Sequence, residues 1–180
     1  MRHYPAFFDI KGRPCLVVGG GAAALGKIRL LRRAGADVTL IAGPNHLMPP
    51  RNITIVPALT ADDMHQAVTQ HAADQDAVIM AAAVADYRPK TIADQKIKKG
   101  TASLSLEMEK TTDILKALSE CRPAVLVGFA AETTDGLAYA QKKLIEKNLD
   151  MIVYNDVTDE GAGFDMDTNI VTVLHRDGRQ

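Results

Sequence analysis

The sequence has no tryptophan and few other rings, four Tyr and four Phe in 180 residues. A core must therefore be assembled from Ala, Val, Ile and Leu, which suits helices packed on a parallel sheet. Cysteine is scarce too: Cys15 and Cys121 are too few for a disulfide scaffold and stand at no metal-ligand spacing. They read as small apolar residues of a reducing compartment. No apolar run approaches the roughly 18 residues that span a bilayer. Residues 1–10 carry an aspartate instead of the apolar stretch of a secretory leader. The expectation is a cytoplasmic protein with no membrane contact. No charge sign dominates: Lys and Arg number 21 against 22 Asp and Glu, a net charge of −1. That excludes a broadly cationic nucleic-acid binder, although a local basic patch is compatible with it.

At about 100–200 residues per domain, residues 1–180 form one domain. A chain of this size buries about 70% of the surface that its unfolded form exposes. Short apolar runs at 15–18, 37–41, 53–56, 77–83, 124–129, 151–154 and 170–174 predict strands. Leu104, Leu106 and Met108 alternate with polar residues, so that strand has one wet face. Helical patterns cover 22–34, 60–71, 112–119 and 138–147. In the first of them Leu25, Ile28 and Leu31 share an apolar face, Lys27, Arg29, Arg32 and Arg33 are expected to face water, and Gly35 stops the helix. The polar stretch 86–100 has no period. This alternation predicts a Rossmann-like three-layer α/β sandwich with a mostly parallel sheet and an edge strand or hairpin.

Gly19-Gly20-Gly21-Ala22-Ala23-Ala24 fits G-x-G-x-x-[G/A] between a strand and a helix. Glycines there let a phosphate approach backbone N–H groups at a helix N-terminus. The acidic residue expected on a ribose about 20 residues later is missing, because the second strand runs out at Ala42-Gly43. Gly19, Gly20 and Gly21 are thus either a phosphate-binding turn or a turn that packs helix on sheet. With Tyr4-Pro5, Phe8-Asp9, Gly12-Arg13-Pro14-Cys15 and Lys27-Ile28-Arg29-Leu30-Leu31, residues 1–42 resemble the NAD-dependent dehydrogenase/ferrochelatase module of siroheme synthase. That resemblance implies an alternative function, a dehydrogenase module using NAD(P).

From about residue 35 a different set of motifs follows in order. It comprises Gly35-Ala36-Asp37-Val38-Thr39-Leu40-Ile41, Ala81-Ala82-Ala83-Val84-Ala85-Asp86-Tyr87-Arg88, Lys96-Ile97-Lys98-Lys99 and Asp113-Ile114-Leu115. Gly128-Phe129-Ala130-Ala131-Glu132-Thr133, Lys143, Lys147-Asn148-Leu149-Asp150, Asn155-Asp156-Val157 and Phe164 with Asp167 and Asn169 complete it. Together they resemble the phosphopantothenoylcysteine synthetase family. The resemblance implies a CTP-dependent ligase of coenzyme A biosynthesis that joins 4'-phosphopantothenate and cysteine through an acyl-cytidylate, with Mg2+ as cofactor and a homodimer as the assembly. Such chemistry needs a cationic clamp on a triphosphate, where charge spreads over phosphoryl oxygens.

The resemblance makes Lys96 the catalytic clamp, in a polar segment that closes as a lid. Lys98 and Lys99 alone read as a solvated charge run. Lys143 and Lys147, one helical turn apart, share a face that suits phosphates; the plain alternative is a wet helix face. Asp86 follows a buried strand, where open α/β sheets bind ligands. The resemblance places it at the cytidine end, with backbone groups from Met80, Ala81 and Ala82. Phe129 either stacks on the base or is a core ring. Thr112, Asp113, Ile114 and Leu115 open a helix whose N–H groups suit an anion or a base edge; the family usually has proline where Thr112 stands. Asn155, at the end of a strand, is assigned to substrate. No side chain is assigned to the metal, since magnesium rides on nucleotide phosphates.

One departure is plain. The family's first strand leads into a Gly-Pro-Thr turn and an Asn-bearing, Ser- and Gly-rich loop, whereas residues 19–27 occupy that place here. The departure implies a ligase that handles its intermediate differently, a domain that binds nucleotide with incomplete catalysis, or a Rossmann-like scaffold without turnover.

Overall fold

The computed structural model describes residues 9–98, 103–120, 123–132, 135–156 and 171–179. Its elements in order are β1 (Pro14–Val18), α1 (Ala22–Arg33), β2 (Asp37–Ala42), β3 (Thr54–Pro57), α2 (Ala61–Ala72) and β4 (Ala77–Met80). Then come β5 (Tyr87–Pro89), β6 (Met108–Lys110), α3 (Ile114–Glu120), β7 (Val125–Glu132), α4 (Gly136–Glu146), β8 (Met151–Asp156) and β9 (Val171–His175).

Seven strands form one sheet in the order β3-β2-β1-β4-β7-β8-β9, and β5 and β6 form a separate antiparallel hairpin. All pairs in the large sheet are parallel except β8 with β9. The mostly parallel sheet is as expected, and where an edge strand or a hairpin was expected the chain has both, the edge strand being antiparallel. The order reverses beside β1: β2 and β3 are added on one side, β4, β7 and β8 on the other. Right-handed crossovers then send α1 to one face and α2, α3 and α4 to the opposite one. The packing agrees. Ala24 and Ile28 of α1 pack with Val17, Val38 and Leu40. Met64 and Val68 of α2, Leu118 of α3 and Leu144 of α4 pack with Leu16, Val78, Leu126 and Ile152.

Local chemistry sets the helix ends. Gly35 has φ +85° and closes α1 as its N–H donates to Arg32 O and that of Ala36 donates to Leu31 O. Thr60 and Asp63 cap α2 reciprocally: the Asp63 N–H donates to Thr60 Oγ1 at 3.1 Å and the Thr60 N–H to Asp63 Oδ2 at 2.9 Å.

Three expectations are corrected. The run 77–83 is a strand only as far as Met80, because Val18↔Met80 is the last pair with β1, beyond which the glycine turn offers no partner. The Ala81 N–H still donates to Val18 O at 2.9 Å, and the chain then leaves the sheet. Lys27 does not face water. It is half-buried over the ring of Phe129, since it neighbours Ile28 at the border of the apolar stripe. Residues 104–107 are exposed and unpaired as a strand, whereas Met108–Lys110 pairs with Tyr87–Pro89, from a segment with no period of its own. Three-residue pairing of this kind leaves no periodic trace. Cys121, Lys99, Thr133, Val157, Phe164, Asp167 and Asn169 lie outside the described residues.

Gly19 shows what the glycine turn does for the fold. It has φ +145°, and a Cβ there would stand 3.3 Å from Ala24 Cβ, the Ala81 carbonyl carbon and the Ala82 nitrogen. Gly19→Ala should therefore cost more than about 1 kcal/mol, read as a lower urea midpoint. Gly21→Ala, with nothing within 4 Å of its Cβ, should cost less. Equal midpoints for the two variants would contradict this packing role.

Candidate functional site

Where β4 and β7 end, the chain leaves a cavity of about 710 Å3. Its lining combines the segment after β4 (Ala82 to Tyr87), the segment leading into α3 (Lys110 to Leu115), Met80, Phe129 and one face of α4 (Tyr139, Lys142, Lys143, Glu146, Lys147). Small residues make the room: Ala82, Ala83 and Ala85 stand where larger side chains would fill the crevice. Such a crevice, outside the carboxyl ends of parallel strands, is where open α/β sheets take ligands.

Hydrogen bonds hold its walls. The Thr111 N–H donates to Asp86 O at 2.9 Å and the Thr111 hydroxyl to Ala85 O at 2.6 Å, tying the two lining segments together. Below them Arg88 donates to Glu109 Oε1 at 2.8 Å and also pairs with Asp62 of α2. The hairpin is thereby fastened to the body of the molecule. Lys90 and Glu107 add a further pair at 2.6 Å.

Asp113 links two helices. Its Oδ1 accepts from the Lys116 N–H at 3.0 Å, capping α3, and its Oδ2 accepts from Lys147 of α4. Partial burial on its own would raise this carboxyl. The Lys147 hydrogen bond, the Lys116 amide and the charges of Lys147 and Lys143 outweigh it and hold the group below the usual carboxylate range. Lys143 is half-buried and donates to Phe129 O at 3.0 Å. Neither lysine is part of a merely wet helix face.

The structure brings most of the sequence-predicted residues together. Met80, Ala82, Asp86, Thr112, Asp113, Ile114, Leu115, Phe129, Lys143 and Lys147 all line the cavity. Ala81 lies outside the lining, and its N–H is spent on Val18. Lys96 is exposed, beyond the cavity wall, in the segment between β5 and β6. Asn155 also lies outside the lining; its Oδ1 is buried without a hydrogen-bond partner among the described residues. Phe129 carries the Lys27 ammonium 4.2 Å from its ring centre. Tyr139, Lys142 and Glu146 are lining residues that the sequence reading missed. Their spacing from Lys143 and Lys147 on α4 was the available signal, because residues three and four apart share a helix face.

The glycine turn lines a smaller cavity of about 200 Å3, with Ala24, Ile28, Leu40, Leu47 and Ile55 among its walls. Asn45 is folded in beside the turn. Its Nδ2 donates to Gly43 O at 2.8 Å and its Oδ1 accepts from the Leu47 N–H at 2.9 Å. A Cβ on Gly20 would stand 2.6 Å from that Nδ2 and from Gly43 O. At Gly19 and Gly20 internal packing therefore accounts for the glycine, which favours the packing reading of the turn over the dinucleotide one. Among the described residues no group of three or more His, Cys, Asp or Glu side chains could hold a metal, and no helix is long and apolar enough to cross a membrane.

Comparison with known proteins agrees with this geometry. Residues 22–180 match the family described as DNA/pantothenate metabolism flavoprotein C-terminal domain. The match begins inside the stretch that resembles the siroheme synthase module and leaves the three glycines just outside. The coenzyme A biosynthesis bifunctional protein CoaBC of Bacillus subtilis (strain 168) is 50% identical over 148 residues, 81% of this chain. This chain spans a little over a third, 36%, of that relative's length. A crystal structure of the C-terminal domain of a CoaBC protein superposes with TM-score 0.78 at 37% identity, covering 95% of this chain and 85% of that one. The DNA/pantothenate metabolism flavoprotein from Streptococcus pneumoniae shares the fold, with TM-score 0.74 at 20% identity over 91% of this chain and 93% of its own.

The depressed Asp113 carboxyl has a measurable sign. A carboxyl held lower in the fold than its unfolded value of about 3.9 adds stability above that pH and loses it as the pH falls through the folded value. Asp113→Asn keeps the cap but not the charge. Its stability deficit should be full at pH 6–7 and shrink below about pH 4, followed by thermal midpoint against pH. A deficit of the same size across that range would refute the charge-based account.

Proposed function

The chain belongs to the DNA/pantothenate metabolism flavoprotein C-terminal domain family, and we propose that it is a ligase domain of coenzyme A biosynthesis, joining 4'-phosphopantothenate to cysteine with CTP and Mg2+. One observation carries this reading. Four separate segments of the chain deliver Asp86, Asp113, Phe129, Lys143 and Lys147 to one cavity, and these are the residues in which the sequence resembles that ligase family.

The chemistry requires a carboxylate to be made acylating. A carboxylate oxygen of 4'-phosphopantothenate attacks the α-phosphorus of CTP, and pyrophosphate leaves. The cysteine amine then attacks the acyl carbon, expelling CMP and losing a proton. In this reading the cytosine lies toward Asp86 and the Met80 to Ala82 backbone, with Phe129 beside it, and Lys143 and Lys147 meet the phosphates. Preorganised cations stabilise the charge that spreads over phosphoryl oxygens. Lys96 joins them when its segment closes over the phosphates. Magnesium would ride on the nucleotide phosphates and help to neutralise them, and the cavity carboxylates Asp86, Asp113 and Glu146 could offer it a further oxygen. Asn155 is assigned to the substrate side. In this reading the ligation takes place in the cytoplasm, and residues 1–180 serve it as one nucleotide-binding domain.

The replaced segment after β1 bears on the second half-reaction, so pyrophosphate release is the decisive readout. With 4'-phosphopantothenate and Mg2+ present, CTP should release pyrophosphate in preference to ATP or NAD-type nucleotides. Lys96→Ala should reduce that release by at least about 100-fold with an unchanged melting temperature, as loss of a transition-state cation does. Release that is indifferent to the nucleotide base, or full activity in the Lys96 variant, would overturn the assignment.

The assembly in this reading is a homodimer formed through the hairpin arm. Leu104, Leu106 and Met108 are 63%, 55% and 47% exposed there, beside Ile92 and Ile97, an apolar surface that a second copy would cover. Light scattering should find a dimer for the parent chain and a monomer for the Leu104→Asp, Leu106→Asp double variant. A monomeric parent would refute the arrangement.

A further inference from the structure

Phe129 is met by lysines from both faces of the sheet. From the α4 side, Lys143 donates to its carbonyl at 3.0 Å. From the α1 side, Lys27 lays its Nζ 4.2 Å from the centre of the ring. Strand parity explains the second contact. Val127 pairs with Ile79, whose side chain packs in the α1 cluster, and Phe129 is two residues further along the same strand. Its ring is therefore presented to α1, while the α2–α4 layer receives Leu126 and Ala130.

Among the described residues Lys27 has no anion to neutralise it. Its partners among the described residues are the ring and the Ala23 carbonyl, at 3.3 Å. Cation–π contacts of this kind are worth about 0.5–2 kcal/mol, but they leave the charge uncompensated. Burial pulls the ammonium below the ordinary lysine range, as expected of a cation taken from water without a carboxylate. The position is also next to the cavity described above. Phe129 and Ala82 both line it, and Ala82 lies against Gly19 at the start of the α1 connection.

We propose that Lys27 is an anion-binding residue of this site, receiving a phosphoryl group of a ligand that lies across the ends of β4 and β7, on the side opposite Lys143 and Lys147. On binding, the ammonium exchanges the ring face for phosphate oxygens. Phosphate is the better partner, because hydrogen bonds between two charged groups are about twice as strong as neutral ones. The class of ligand rests on the ligase reading, and the phosphoryl group has two sources in it: the polyphosphate of CTP or the phosphate of 4'-phosphopantothenate.

Calorimetric titration separates the sources and the readings. The parent, Lys27→Met and Lys27→Arg chains are each titrated with CTP and, separately, with 4'-phosphopantothenate. Methionine keeps an unbranched apolar stem over Phe129 and removes only the charge. For one of the two compounds Lys27→Met should bind roughly tenfold more weakly, the usual scale for a lost charged hydrogen bond, while Lys27→Arg stays near the parent. In turnover, KM for that compound rises and KM for cysteine does not. Unchanged affinity of Lys27→Met for both compounds would mean that Lys27 only packs on the ring, and would overturn the proposal; so would a parent chain that binds neither compound. Charge-dependent binding without any pyrophosphate release would uphold Lys27 as an anion contact and refute the ligase reading instead.

Discussion

Two parallel strands are joined almost always by a right-handed crossover, so the direction in which strands are added dictates which face of the sheet each helix covers. In this chain the direction changes once, beside β1. Everything at the site follows from that change. The α1 helix is left on one face, and α2, α3 and α4 gather on the other. The ends of β4 and β7 stay open between them, and side chains of alternate parity on β7 are handed to opposite layers. The cavity thus draws most of its cations from α4 and its C-cap, and the ring of Phe129 turns to α1. Neither placement needs a special interaction beyond the pleat and the handedness of the crossovers.

The large sheet was legible in the sequence because its strands are buried on both faces and read as unbroken apolar runs, such as 15–18 and 124–129. The residues that form the hairpin were not, since three-residue strands such as Tyr87–Pro89 are exposed and bury no stripe. Strand β4 was overestimated for a related reason. Ala81, Ala82 and Ala83 are apolar whether they fill a core or leave room for a ligand, and composition does not separate the two. Lys143 and Lys147 stood on the periodic pattern, but their partners, the Phe129 carbonyl of β7 and the Asp113 carboxylate, come from distant parts of the chain. Lys27 lay beyond the reach of periodicity: what holds it is a ring a hundred residues further along the chain, brought near only by strand pairing.

The glycine turn is a lesson in competing explanations. Its spacing matches a phosphate-binding fingerprint, yet close approach of Ala81 and Ala82 to Gly19, and of Asn45 to Gly20, accounts for the lack of side chains there. A backbone that must pass within van der Waals contact of a neighbouring strand end leaves the same trace in the sequence as one that must admit a pyrophosphate. At Gly19 and Gly20 protein atoms already stand where a side chain would be.

The contact between Asp113 and Lys147 has a meaning beyond joining α3 to α4. The carboxylate balances the Lys147 ammonium, so this part of the cavity is internally neutralised. Asp113 and Lys147 are 43% and 25% exposed, and ion pairs at that level of exposure contribute about 0–1 kcal/mol. In the proposed reading a phosphate would therefore take the lysine at little cost, and Asp113 would still have the Lys116 amide to accept from. The helix keeps its cap whichever partner the lysine chooses. Because Asp113 uses separate oxygens for Lys116 and Lys147, the cap of α3 does not depend on the charge pair.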